Sequence, residues 1–150
     1  MAGDEALKLT LRPKANGYTG TTLAEMLAEK GIVCEYADPD YLVLMISPET
    51  SEEELQYTEK VLGEIPHQKA ILSASPLPGR PEPVLSPRES LLSPFETVPV
   101  EESVGRILAA PSVSCPPAVP FIIAGERITE VAAACMLYYG ITECSVVRSV

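Results

Sequence analysis

The chain has 150 residues, which is enough for one ordinary domain or two very small ones and excludes a large catalytic barrel. Apolar residues make up 46% and aromatic residues 5% of the sequence, with no Trp, so the core must be aliphatic. Because 21 Asp and Glu outnumber 11 Lys and Arg, the net charge of −10 argues against nucleic-acid binding. No apolar run reaches the length of a membrane span, so we expect a cytoplasmic protein that does not enter membranes.

The first predicted elements are a strand, a helix and a second strand. Residues 7–12 alternate apolar and polar side chains, which is typical of a half-buried strand. Thr22 and Glu25 have the spacing of a capping box, which predicts a helix that ends before Gly31. A short strand is predicted over Ile32–Tyr36.

A further strand and helix follow. Tyr41–Ile46 is apolar throughout, which predicts a strand covered on both faces. Ser51 and Glu54 form a second capping box, and the helix after it has a predicted buried stripe. That stripe comprises Leu55, Thr58, Leu62 and Ile65. The order strand, helix, strand, strand, helix predicts a small α+β domain over residues 1–72, with both helices on one face of the sheet.

Residues 73–99 form a predicted connecting segment that is stiffened by proline. Its prolines are Pro76, Pro78, Pro81, Pro83, Pro87, Pro94 and Pro99. They are too dense for an interior helix or a central strand, although the apolar residues between them suggest that the segment packs against something. Ser86 followed by Pro87 predicts the start of a short helix.

Residues 100–150 are predicted to form a second small α+β domain, or residues 82–150 to form one unit. A short helix is expected over Glu101–Arg106, followed by a rigid corner at residues 116–120. A longer helix is expected from Thr129 to Tyr139.

Glu126 is the strongest candidate for a functional side chain. It follows the proline corner, an apolar run and a turn at Gly125, so rigid backbone positions it just before the last helix. One interpretation is a carboxylate aimed at the cation of a substrate or partner. The other is an acidic residue at the start of a helix, where the helix dipole favours negative charge.

The other candidates are weaker. His67 is the only histidine, and it follows a helix in a polar stretch without the converging groups of a catalytic triad, so an exposed loop histidine is favoured. Gly17-Tyr18-Thr19-Gly20 could hold a phosphate, but a turn and a helix start account for it. The consecutive acids Glu52–Glu54 suit the first turn of a helix better than a metal site.

The cysteines do not indicate a metal site or a disulfide framework. Cys34, Cys115, Cys135 and Cys144 are widely spaced, and no CxxC pair occurs. With one histidine in the sequence, no zinc-ligand spacing is present. We expect reduced thiols.

Several strings of the sequence point to a known family. They are LKLT at 7–10, GYTG at 17–20, EYAD at 35–38, EPVLSPRE at 82–89, FETVP at 95–99, EESVGRI at 101–107, CPPAVP at 115–120 and AGE at 124–126. Together they resemble the C-terminal part of the bacterial ornithine/lysine/arginine decarboxylases, which use pyridoxal phosphate. The family usually has Gly in place of Ala118 and Pro in place of Ala124, so the loop before Glu126 is expected to be altered.

The resemblance implies a small domain and a C-terminal domain without the large cofactor domain. The family's cofactor-binding lysine lies in a Ser-x-His-Lys string, whereas here His67 is followed by Gln68. We therefore expect no catalytic residue and no cofactor in this chain, and pyridoxal 5'-phosphate in the full-length enzyme. The implied partners are the large domain of the parent enzyme, a basic amino acid substrate and further copies of the chain. Glu126, with Gly125, is the implied substrate-binding pair, near the distal amine or guanidinium.

Two functions stay open at this point. The first is an inactive C-terminal fragment of a basic amino acid decarboxylase that contributes substrate-entrance and dimer contacts. The alternative is a stand-alone, non-catalytic binding or regulatory module for a cationic metabolite or a protein partner. The sequence does not discriminate among arginine, lysine and ornithine, because that choice depends on pocket shape.

Overall fold

The chain folds into two compact units, Met1–Ala74 and Ser75–Val150, in a computed structural model that describes residues 7–77, 79–110 and 120–148. The boundary lies at the start of the proline-rich stretch, most of which is part of the second unit. Each unit combines helices with a small antiparallel sheet, so the predicted α+β class is confirmed.

The sheet of the first unit has three strands, β1 (Lys8–Leu11), β2 (Tyr36–Ala37) and β3 (Leu42–Met45). Their order is β1-β3-β2, and both pairings with the central strand are antiparallel. The alternating pattern of residues 7–12 correctly predicted β1, because every second side chain of a strand faces the core. The predicted strand over residues 32–36 is wrong in position, since β2 begins only at Tyr36.

Two helices pack on this sheet, α1 (Gly20–Ala28) and α2 (Glu52–Glu64). Ser51 and Glu54 form the predicted capping box at the start of α2. The predicted box of Thr22 and Glu25 is wrong, because Thr19 caps α1 and accepts a hydrogen bond from the backbone N–H of Thr22. The core of this unit consists of Tyr18, Leu23, Leu27, Leu42, Leu44 and Val61.

Burial in the first unit differs from the sequence prediction at two elements. β3 is not covered on both faces, since Leu42 and Leu44 are buried whereas Met45 is 55% exposed. In α2 the fully buried side chain is that of Val61; of the predicted stripe, Leu62 and Ile65 pack partly buried against the core and Leu55 is 40% exposed. Both elements therefore have one buried face, which is what a single layer of helices on a sheet provides.

The second unit contains α3 (Pro87–Leu92), β4 (Phe95–Pro99), α4 (Glu130–Tyr138) and β5 (Glu143–Val147). β4 and β5 pair antiparallel. The predicted helix starts are confirmed, since Ser86 and Thr129 cap α3 and α4. The predicted helix over residues 101–106 is instead a 3-10 turn at residues 100–102.

The core of the second unit is aliphatic, as the composition predicted. Its buried members are Val100, Leu108, Ile122, Ile128, Ala132, Ala133, Met136, Cys144 and Val146. Cys34, Cys135 and Cys144 are free thiols, and Cys115 lies outside the described residues with the rest of 111–119. Within the described ranges, no helix is long and apolar enough to cross a membrane, and no group of His, Cys, Asp and Glu could hold a metal ion.

Candidate functional site

The candidate site is a tight turn at residues 123–126 in the second unit. The backbone N–H of Glu126 donates to the carbonyl of Ile123 at 3.2 Å and closes the turn. Gly125, its third residue, has a φ of +93°, which is the backbone conformation that a type II turn requires there. The Glu126 carboxylate folds back, and its Oε2 accepts a hydrogen bond from the backbone N–H of Ile123 at 2.8 Å.

Gly125 connects this turn to two other parts of the unit. Its N–H donates to the Leu108 carbonyl at 2.8 Å, and its carbonyl accepts from Val84 at 2.9 Å and from Leu85 at 3.0 Å. A Cβ at this position would lie 2.2 Å from the Leu85 carbonyl oxygen, so no other residue fits without moving backbone. Sequence reasoning missed Leu85 and Leu108, because such backbone contacts between distant segments leave no local signal.

The residues beside the turn continue this pairing. Glu126 forms an isolated antiparallel bridge with Pro83, and the N–H of Arg127 donates to the Glu82 carbonyl at 2.9 Å. The Arg127 guanidinium also pairs with the Glu82 carboxylate at 3.0 Å and donates to the Gly105 carbonyl at 2.9 Å. The strings at 82–89 and 124–126, which are about forty residues apart in sequence, therefore meet at this site.

The geometry rejects one of the two interpretations of Glu126. Helix α4 begins at Glu130 after the cap residue Thr129, so Glu126 lies outside its first turn and the helix-dipole explanation is wrong. The side chain is half-buried. Within the described part of the chain, its second carboxylate oxygen accepts no hydrogen bond. One oxygen therefore orients the carboxylate, and no described residue donates a hydrogen bond to the other.

The remaining candidates have structural explanations. His67 is exposed in the segment that follows α2. After the 17–20 turn, the backbone N–H groups of Thr21 and Thr22 already donate to the Asp38 carbonyl and the Thr19 hydroxyl, so they are not free to bind a phosphate.

The described residues do not fit a pyridoxal phosphate site. Such a site needs a lysine for the Schiff base, an acid at the pyridine nitrogen and a phosphate cup. Lys14 is engaged by the Asp40 carboxylate at 2.7 Å and by the Ser73 carbonyl at 2.8 Å. Lys60 lies on the exposed face of α2, 3.9 Å from the carboxylate of Glu64. The other described lysines, Lys8, Lys30 and Lys69, are also exposed and not enclosed in a cofactor pocket.

Comparisons with known proteins relate both units to one family. The sequence model described as "Orn/Lys/Arg decarboxylase, C-terminal domain" matches residues 69–146, which include the turn of Gly125 and Glu126. An arginine decarboxylase of Halalkalibacterium halodurans is 34% identical over 130 residues, which cover 82% of this chain and 26% of that protein. The uncharacterized protein YaaO of Bacillus subtilis is 32% identical over 84% of this chain and 27% of its own length.

A solved structure has the same fold. The constitutive lysine decarboxylase of E. coli superposes with a TM-score of 0.69 at 17% sequence identity. The match covers 96% of this chain and 32% of that structure. The chain thus spans about a quarter of the length of the curated relatives that it matches. Ala118, where the family usually has glycine, and the rest of residues 115–119 lie in the stretch that the structure does not describe.

Proposed function

This chain belongs to the ornithine/lysine/arginine decarboxylase family, whose C-terminal domain it carries, and we propose that it is the C-terminal portion of a decarboxylase acting on a basic amino acid. In such an enzyme, the large domain would hold pyridoxal 5'-phosphate, which would supply the electron withdrawal that decarboxylation needs. The Schiff-base lysine would come from that large domain, so the isolated chain is expected to be inactive. Because two relatives are named arginine decarboxylases, arginine is the first substrate to test.

We propose that Glu126 binds the distal cation of the substrate at the entrance to the active site. The turn at Gly125 carries this proposal, because it fixes the carboxylate through one oxygen and leaves the second oxygen for a guanidinium or ammonium group. A charge-assisted hydrogen bond of this kind contributes about 1.5–3 kcal/mol. That energy corresponds to a roughly tenfold or greater effect on substrate affinity.

The proposed partners of the second unit are the large domain of the parent enzyme and further copies of this chain. Three large apolar side chains of α3 and β4, Leu91, Leu92 and Phe95, are each more than half exposed. Apolar side chains clustered in this way are typical of a surface that another protein segment covers. This supports a role in completing a larger, oligomeric enzyme.

The test is a hybrid enzyme in which this chain replaces the matching C-terminal segment of the H. halodurans arginine decarboxylase. We expect the hybrid to release carbon dioxide from arginine and the chain alone to release none. Glu126→Gln should raise KM for arginine at least about tenfold with a smaller change in kcat, since it removes charge from a binding contact. Glutamine keeps an oxygen that can accept the Ile123 hydrogen bond, so the turn is preserved.

The matched control is Glu130→Gln, which removes an exposed carboxylate four residues away in the first turn of α4. Its KM should stay near that of the unmodified hybrid. An unchanged KM in Glu126→Gln, or an equal rise in both variants, would contradict the proposed role of Glu126. A folded hybrid without activity would contradict the decarboxylase role and favour a stand-alone binding module.

A further inference from the structure

The first unit contains a cavity of about 420 Å³ that the proposed function does not use. It lies between the 3-10 helix Pro13–Asn16 and the segment that follows α2. Its volume falls in the range of small-molecule sites, which is about 300–1,000 Å³. Its lining combines apolar residues, among them Leu23, Leu62 and Ile65, with the polar residues Arg12, Asn16 and His67.

The two walls of this cavity are joined by hydrogen bonds. The buried Tyr18 donates its hydroxyl hydrogen to the Pro66 carbonyl at 2.8 Å, and Gln68 Nε2 donates to the Tyr18 hydroxyl oxygen at 3.0 Å. The Gln68 backbone N–H donates to the Asn16 carbonyl at 3.0 Å. Because His67 lies between two residues fixed in this way, its backbone is held at the cavity. A ligand would therefore meet a site that is already formed, which reduces the entropic cost of binding.

Arg12 supplies a positive charge that no carboxylate of the described residues pairs with. Lys14, Arg106 and Arg127 each lie within 4.0 Å of a carboxylate. Over the described ranges, Arg12 makes no ion pair; its guanidinium lies 5.7 Å from the centre of the Tyr41 ring. The chain has 21 acidic and 11 basic residues, so most basic side chains can find a carboxylate. Because Arg12 lines the cavity and pairs with no described carboxylate, its guanidinium is available to an external anion.

We propose that this cavity binds a small monocarboxylate with an apolar body. The planar guanidinium of Arg12 suits a carboxylate, and the leucine and isoleucine side receives the apolar part. Asn16 and His67 add polar side chains to the same lining. The net charge of −10 disfavours ligands with several negative charges, such as nucleotides, because the field of the whole chain repels them.

The test is an NMR titration of the 15N-labelled full chain with benzoate, and with benzamide as a neutral molecule of the same shape. We expect benzoate to shift the amide resonances of Arg12, Asn16 and His67 with a millimolar dissociation constant. Benzamide should bind at least about tenfold more weakly. Arg12→Gln should weaken benzoate binding by a similar factor, whereas Arg88→Gln, an exposed arginine of the second unit, should not.

A second variant keeps the proposal testable if Arg12→Gln perturbs folding. Ala15 is exposed and lines the cavity, so Ala15→Phe should block binding while Arg12 stays in place. Any one of four results would overturn the proposal. Three of them are shifts confined to residues outside the cavity, equal affinity for benzoate and benzamide, and unchanged benzoate affinity in folded Arg12→Gln. Inorganic phosphate binding as tightly as benzoate would also overturn it, by indicating a non-specific cationic patch.

Discussion

Replacing Gly125 with alanine should destabilise the second unit severely. The substitution has two separate energetic costs, one from the backbone conformation of residue 125 and one from a steric clash of the new Cβ. Gly125 has a φ of +93°, and its new Cβ would lie 2.2 Å from the Leu85 carbonyl oxygen. That oxygen belongs to backbone, so it can reach ordinary contact at 3.4 Å only if the whole 84–86 segment moves.

The magnitude follows from these two costs. A positive φ in a residue with a Cβ costs about 1–2 kcal/mol. Moving Leu85 away stretches the hydrogen bonds that Val84 and Leu85 donate to the Gly125 carbonyl, each worth about 0.5–1.5 kcal/mol. We therefore expect Gly125→Ala to lower the free energy of unfolding by about 2–5 kcal/mol, a large fraction of the 5–15 kcal/mol that is typical of a domain.

Gly105→Ala is the matched control. Gly105 also has a positive φ, +83°, but nothing lies within 4 Å of the position that a Cβ would take there, so only the backbone cost of about 1–2 kcal/mol applies. Urea unfolding gives the total effect, and hydrogen exchange measured by mass spectrometry localises it. In Gly125→Ala, the faster exchange should concentrate in peptides covering residues 82–90 and 120–128. Equal losses of stability in the two variants would refute the close approach of Gly125 to Leu85.

Two further predictions concern helix α2. Gly63→Ala should raise the free energy of unfolding, measured by urea denaturation, by about 0.5–1 kcal/mol. Nothing lies within 4 Å of the new Cβ, and alanine favours the helical conformation more than glycine does. A loss of stability would contradict this prediction. Hydrogen bonds from the backbone and hydroxyl of Ser51 lower the pKa of the Glu54 carboxyl from 4.5. The ionised carboxylate therefore stabilises the fold above pH 4.5, and this stabilisation is lost as the pH falls through the lowered pKa of the folded state. Glu54→Gln should thus be less stable than the native chain at pH 7 and approach it in acid, and parallel pH curves would contradict the assignment.

Local signals were the reliable part of the sequence. The capping box at Ser51 and the helix start at Ser86 could be predicted because each signal lies within four residues of sequence. The same rule failed at Thr22, since Thr19 has an equivalent hydroxyl three residues earlier and its oxygen accepts the hydrogen bond from the Thr22 N–H. The spacing of Thr22 and Glu25 alone did not discriminate between these two threonines.

At the candidate site, the sequence indicated the functional side chain but not the tertiary contacts that position it. Glu126 was identifiable as a carboxylate on a rigid turn, but its partner segment was not, because residues 82–85 and 125–127 meet through backbone hydrogen bonds. Backbone groups are the same at every residue, so such pairing has no compositional signature. The cavity at Arg12 was missed for a related reason, since its two walls are about fifty residues apart in sequence and meet through contacts such as that of Tyr18 with Pro66.

Ala124 bears on how far this turn departs from the family pattern, in which proline usually occupies that position. It is the second residue of the turn, where both type I and type II turns accept proline. Among the described residues, the backbone N–H of Ala124 donates no hydrogen bond, so a proline there would remove no contact of the turn. The side chain is buried beside the core, and alanine fills that place without a polar group. The turn that orients Glu126 therefore depends on Gly125 and not on whether alanine or proline occupies position 124.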